Sequence, residues 1–157
     1  VSGRTRRALQ PPLPHLGEVL DFMRLIWAVD HALQKASKRM KSNLGVTGPQ
    51  RLVIRIVSRF PGMPAGRIAE LLHVHPSTLT GVLKRLERRG LIRRRSDPKD
   101  GRRALFGITE KGRWVDAAAA GTVEAAVQGV LAGASARQIE GARELLAHLA
   151  AALGAIE

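Results

Sequence analysis

The sequence predicts a mainly helical protein that carries one small β-hairpin. Three observations predict it. Apolar residues recur at three- and four-residue spacing over most of the 157 residues. Glycine, proline or a capping pattern punctuates those segments. Only at "LIRRRSDPKDGRRALFGIT" does the pattern change to two short extended runs about a turn.

Residues 1–14 are rich in Arg and Pro and read as a basic arm. A long helix follows, with Leu16, Val19, Leu20, Met23, Ile26, Trp27, Leu33, Met40 and Leu44 along one stripe, and Gly45 ends it. Thr47 opens the second helix. In "TGPQ" its hydroxyl is free for the N3 amide, and Gln50 can reach back. Leu52, Val53, Ile56, Val57 and Phe60 form the inward face of that helix. "PGMP" breaks the chain, and Pro64 opens a short third helix, "AGRIAELL", with Ile68, Ala69, Leu71 and Leu72 inward.

"HVHP" is a tight connection to a fourth helix, residues 76–89, closed by Gly90. Leu79, Val82, Leu83 and Leu86 make its apolar stripe. Ser77, Thr78, Thr80, Gly81, Lys84, Arg85 and Arg88 therefore occupy the opposite face. Asp97-Pro98 and Asp100-Gly101 turn the hairpin. Thr109 begins an Ala-rich helix expected to run to about Ala132. Ser135 and Gln138 repeat the capping box before a last helix, which carries Ile139, Ala142, Leu145, Leu146, Leu149 and Leu153 on one face.

The formal charge is +13, and its placement carries more information than its size. Residues 51–103 hold 14 basic and 4 acidic side chains, whereas residues 104–157 hold 4 basic and 6 acidic ones. An excess confined to the middle third marks a surface, and a polyanion is its natural partner, nucleic acid ahead of membrane. A short helix, a tight turn and a helix with a basic outer face follow helix-turn-helix logic. In that arrangement the second helix enters a major groove about 12 Å wide.

The stretch 47–112 resembles the winged helix-turn-helix core of the MarR family of transcription regulators. "LLHVHPSTLTGVLKRLERRGLIRRRSDPKDGRRALFGITEKG" carries the resemblance, above all Asp97-Pro98, Asp100-x-Arg102, Ile108-Thr109 and Gly112. The flanking helices match in order and length. The resemblance implies a symmetric dimer. Helix 15–46 and the C-terminal helices, 110–157, would make a dimerisation lobe, and 47–109 the DNA-binding domain. It places Ser77, Thr78, Thr80, Lys84 and Arg85 on the recognition helix and Arg102 at the wing tip, in the adjacent minor groove. It makes Asp100 the acidic brace of the wing. It sets a ligand pocket around Trp27, His31, Phe60 and Trp114. His75 departs from the usual Asp, Ser or Asn before such a helix.

From their charge, Lys84, Arg85 and Arg88 are expected at phosphates, which position a protein without reading sequence. Arg93, Arg94 and Arg95 form a basic strand from which one or two phosphate contacts, Arg95 among them, are expected. Arg103 either shares the groove with Arg102 or sits in water beside it. A narrow minor groove attracts Arg102 electrostatically, and Asp100 is placed to hold its side chain.

Several classes drop out. With no cysteine there is no disulfide, thiolate metal site or thiol switch. His73 and His75 lack partners at ligand spacing, so no metal and no cofactor is expected. No nucleophile–base grouping or phosphate-binding glycine motif suggests an enzyme. No apolar run approaches the ~20 residues of a membrane span, and the basic start lacks the core of a secretory signal. The expectation is a cytoplasmic, dimeric, sequence-specific regulator of MarR type. It would repress from a pseudo-palindromic operator and be released by a small ligand. The rival readings are a winged-helix protein-interaction module and a nucleoid-type architectural DNA binder.

Overall fold

The computed structural model describes residues 14–155; the basic arm expected at 1–14 lies outside them except for its last residue. Among the described residues nine elements follow in order. They are α1 (Glu18–Leu44), α2 (Gly48–Arg59), α3 (Ala65–Leu72), α4 (Pro76–Arg88), β1 (Ile92–Ser96), β2 (Ala104–Ile108), α5 (Glu110–Ala117), α6 (Val123–Ala132) and α7 (Ala136–Gly154). The chain divides into two units between Ala32 and Leu33, so the first holds the N-terminal part of α1 and the second everything after it.

The boundaries have local causes. Gly45 turns the chain after α1 at φ +72°, a conformation that costs glycine little. The Thr47 side chain accepts the Gln50 amide and the Gln50 side chain accepts the Thr47 amide, a complete capping box. The Ser37 hydroxyl accepts the Gly48 amide at 2.9 Å and ties the end of α1 to the start of α2. His73 ends α3 in the left-handed region, φ 51°, where non-glycine residues are uncommon. The Ser135–Gln138 box starts α7.

The core of the second unit is aliphatic apart from Phe106. Val53, Ile54 and Val57 from α2 meet Ile68 from α3 and Leu79, Leu83 and Leu86 from α4. Leu91, Ile92, Phe106 and Val115 close it. β1 and β2 pair antiparallel, Ile92 opposite Ile108 and Ser96 opposite Ala104. An isolated two-stranded hairpin is marginal in water; this one is anchored by buried Ile92 and Phe106 and by the Gly62 amide donating to the Phe106 carbonyl at 2.9 Å.

The structure departs from the sequence expectation at three places. The helix expected from Thr109 to about Ala132 is two helices, because the chain leaves α5 at Ala118, turns through Gly121 at φ +72° and restarts under a Thr122 cap. Leu52, Phe60 and Leu71, expected inward, are 46%, 44% and 52% exposed, while Ile54, absent from the expected stripe, is fully buried. On α2 the buried residues are Arg51, Val53, Ile54, Ile56 and Val57, because α4, β2 and α5 all pack on this helix. Of the stripe assigned to α1, only Met40 is buried, and α6 and α7 contain no buried residue at all.

Candidate nucleic-acid interface

α4 is built to present one face. Leu79, Leu83 and Leu86 hold it to the core, and Ser77, Thr78, Thr80, Lys84, Arg85 and Arg88 are all exposed on the other side. Its start is capped by His75, whose Nδ1 accepts the Ser77 amide at 3.3 Å and lies 2.7 Å from the Ser77 hydroxyl. The imidazole thus takes the place of the shorter polar side chains that usually hold this position. The Thr80 hydroxyl donates to the Pro76 carbonyl at 2.8 Å. Arg85 and Arg88 fold back along the helix, donating from Nε to the carbonyls of Gly81 and Lys84 at 3.0 and 3.4 Å. These are single neutral acceptors, so each guanidinium keeps most of its five donors for another partner.

The hairpin turn is organised by its two aspartates. The Asp97 carboxylate accepts the Lys99 amide at 2.9 Å, and the Asp100 carboxylate accepts the Arg102 amide at 3.1 Å. The Asp97 amide donates to the Arg103 carbonyl and the Arg103 amide to the Asp100 carbonyl, both at 2.9 Å. Asp100 therefore fixes Arg102 through the backbone. Its side-chain ion pair is with Arg103, Nε to Oδ2 at 3.9 Å, and not with Arg102 as the sequence suggests. The turn brings the Arg103 side chain back over Asp100 and leaves Arg102 exposed at the tip. Arg95 is exposed on β1 opposite Leu105.

The four residues assigned to a ligand pocket are all exposed: Trp27 and His31 on α1, Phe60 at the end of α2 and Trp114 on α5. Trp27 and Trp114 are 69% and 71% exposed. The Arg59 guanidinium lies 6.0 Å from the centre of the Phe60 ring. A cavity of about 470 Å³ lies elsewhere, between α2, α5 and α6. Arg51, Arg55, Ser58, Asp116, Thr122 and Glu124 are among its lining residues, and none of those four is.

That cavity borders a group the sequence did not disclose. Arg51, near the start of α2, is 2% exposed. Its Nε donates to Glu124 at 2.8 Å, one Nη to the Val115 carbonyl, and the other to the carbonyls of Asp116 and Ala118 at 3.2 and 2.5 Å. Arg55 and Ser58 both donate to the Asp116 carboxylate, at 3.0 and 2.8 Å. A buried guanidinium needs such pairing. In sequence Arg51 is only a cation at the start of an amphipathic helix, and no local pattern marks it.

Among the described residues no helix is long and apolar enough to cross a membrane. A family model described as the MarR family matches residues 46–104. An HTH-type transcriptional repressor of Mycobacterium tuberculosis is 30% identical over 125 residues, covering 80% of this chain and 90% of the relative. The organic hydroperoxide resistance transcriptional regulator of Bacillus subtilis is 32% identical over 88 residues, and the chain spans 60% of its length. In structure the chain is similar to the transcriptional regulator SlyA, with a TM-score of 0.69 at 28% identity, covering 85% of this chain and 94% of that one.

Proposed function

Because the chain belongs to the MarR family, we propose that it is a dimeric, sequence-specific DNA-binding regulator, and a repressor. The exposed face of α4 carries this reading. Hydroxyls and cations stand on the side opposite Leu79, Leu83 and Leu86, beside a hairpin whose tip is held rigid by Asp97 and Asp100. In the proposed complex Ser77, Thr78 and Thr80 approach base edges or phosphates at the start of the helix. Lys84, Arg85, Arg88 and Arg95 neutralise phosphates. Arg102 enters the minor groove, and Arg103, tethered to Asp100, stays at its rim. The winged domain spans residues 47–109, and the flanking helices join two copies. The operator is then a pseudo-palindrome with half-sites about one helical turn apart.

On this reading the protein works in the cytoplasm with its DNA. A small effector releases it only by binding one of two states more tightly, with Trp27, His31, Phe60 and Trp114 as the residues to examine for contact. A footprint over genomic fragments, followed by titration at fixed salt, tests the function. We expect binding to the footprinted site tighter than to random duplex by a factor of about 10³ or more. Equal affinity for both overturns the regulator reading in favour of an architectural binder, and no DNA binding at all leaves the protein-interaction module.

A further inference from the structure

We propose that the break between α5 and α6 is a latched joint: Arg51 holds it open, and without that hold α5 and α6 join as one continuous helix. The inference goes beyond the DNA-binding reading and does not depend on it.

The sequence at the break favours helix. Residues 117–120 are four consecutive alanines, the best helix former, yet only Ala117 is helical. What opposes them comes from another element. In a continuous helix the carbonyls of Val115, Asp116 and Ala118 would accept the amides of Ala119, Ala120 and Thr122, four residues on. Here all three carbonyls accept from the Arg51 guanidinium on α2 instead. Its Nε holds Glu124 in the first turn of α6 at 2.8 Å. One side chain thus meets all three helical acceptors and grips both sides of the joint, with Arg55 Nη1 adding a second bond to the Asp116 carbonyl at 3.2 Å.

The rest of the joint suits an alternative state. Ala118 sits at φ −62°, ψ 124°, extended and unstrained. The buried Thr122 hydroxyl donates to the Ala119 carbonyl at 2.8 Å and accepts the Ala125 amide at 3.2 Å, a cap that would be given up on joining. Gly121 lowers the stability of the joined helix and allows the left-handed turn of the broken one. Glu124 Oε2 is buried with no partner, so the latch is incompletely satisfied on its acidic side. The cavity lined by Arg51, Thr122 and Glu124 lies against it. Joining the helices would turn α6 to a new direction from α5, and α5 is the helix packed on α2. The two forms would therefore differ in how the C-terminal helices leave the winged domain.

The test reads the backbone of residues 118–120 by their ¹³Cα chemical shifts in the full chain. Arg51→Met removes the latch, and Gly121→Ala disfavours the left-handed turn while favouring helix. We expect the shifts to move from extended to helical values in each variant, and to return when Ala119→Pro is added. Ala118 already has the conformation that a residue before proline adopts, and proline cannot sit inside the joined helix. Non-helical shifts in folded Arg51→Met and Gly121→Ala overturn the proposal. If Arg51→Met does not fold, Gly121→Ala decides alone: helical shifts sustain the joint and unchanged shifts overturn it.

Discussion

Gly112 sits where the first turn of α5 meets the start of the hairpin. A Cβ there would lie 2.0 Å from the Leu91 carbonyl oxygen and 2.8 Å from Ile108 Cγ1. Neither can withdraw cheaply. Leu91 O also accepts the Thr109 amide and hydroxyl, at 3.2 and 3.0 Å, and Ile108 is in the strand ladder. Gly112→Ala should therefore cost about 3 kcal/mol, the upper end for overpacking, read as a lower urea midpoint at unchanged slope. A midpoint equal to that of the parent chain would show that the hairpin and α5 do not meet this tightly. Gly112 was legible in sequence as part of a motif, and its reason is steric. Arg51 was not legible at all. Its burial depends on α5 ending above it, 64 residues away in the chain, and no local spacing encodes that.

At the scale of elements, the hairpin and α4 divide the work in the proposed complex. α4 offers hydroxyls and cations, and the wing offers the exposed Arg102 guanidinium at its turn. Arg102→Ala should weaken binding to the footprinted site by about 1–3 kcal/mol if the contact is base-specific, while Arg103→Ala should change it less. A titration at fixed salt in which Arg102→Ala binds like the parent would sink the minor-groove role. Capping and turn chemistry were the most readable elements. Thr47 with Gln50, Ser135 with Gln138, and the two aspartates of the wing each contact their own segment, so the pattern is local. The α5–α6 break was the least readable, although Gly121 and Thr122 are an ordinary turn and cap. The alanines ahead of them argue for helix, and the side chain that overrules them belongs to α2.

Across the whole molecule, the exposed apolar side chains fall mostly on two regions. Val19, Leu20 and Trp27 on the N-terminal part of α1 are each more than half exposed, as are Val130, Leu146 and Leu153 on α6 and α7. Soluble monomers seldom leave so many large apolar residues uncovered on consecutive elements. In the dimer we propose, a second copy covers them. Sedimentation at micromolar concentration should report a dimer; a folded monomer there would exclude the symmetric two-site operator. The same measurement with Leu146→Glu should shift the equilibrium towards monomer. DNA affinity should also fall steeply with salt, because each neutralised phosphate releases counterions.

The sequence by itself determined the order of elements as far as α5, the caps at Thr47, Thr109 and Ser135, the hairpin turn and the basic middle third. Each of these rests on contacts within a few residues or on composition, which a linear reading can see. Only the tertiary structure decided which arc of α2 is buried, that Asp100 pairs with Arg103 while fixing Arg102 through its amide, and that the long C-terminal helix is interrupted. Those outcomes turn on partners distant in the chain or on the path of a turn. There, a single buried guanidinium can outweigh the preference of four alanines.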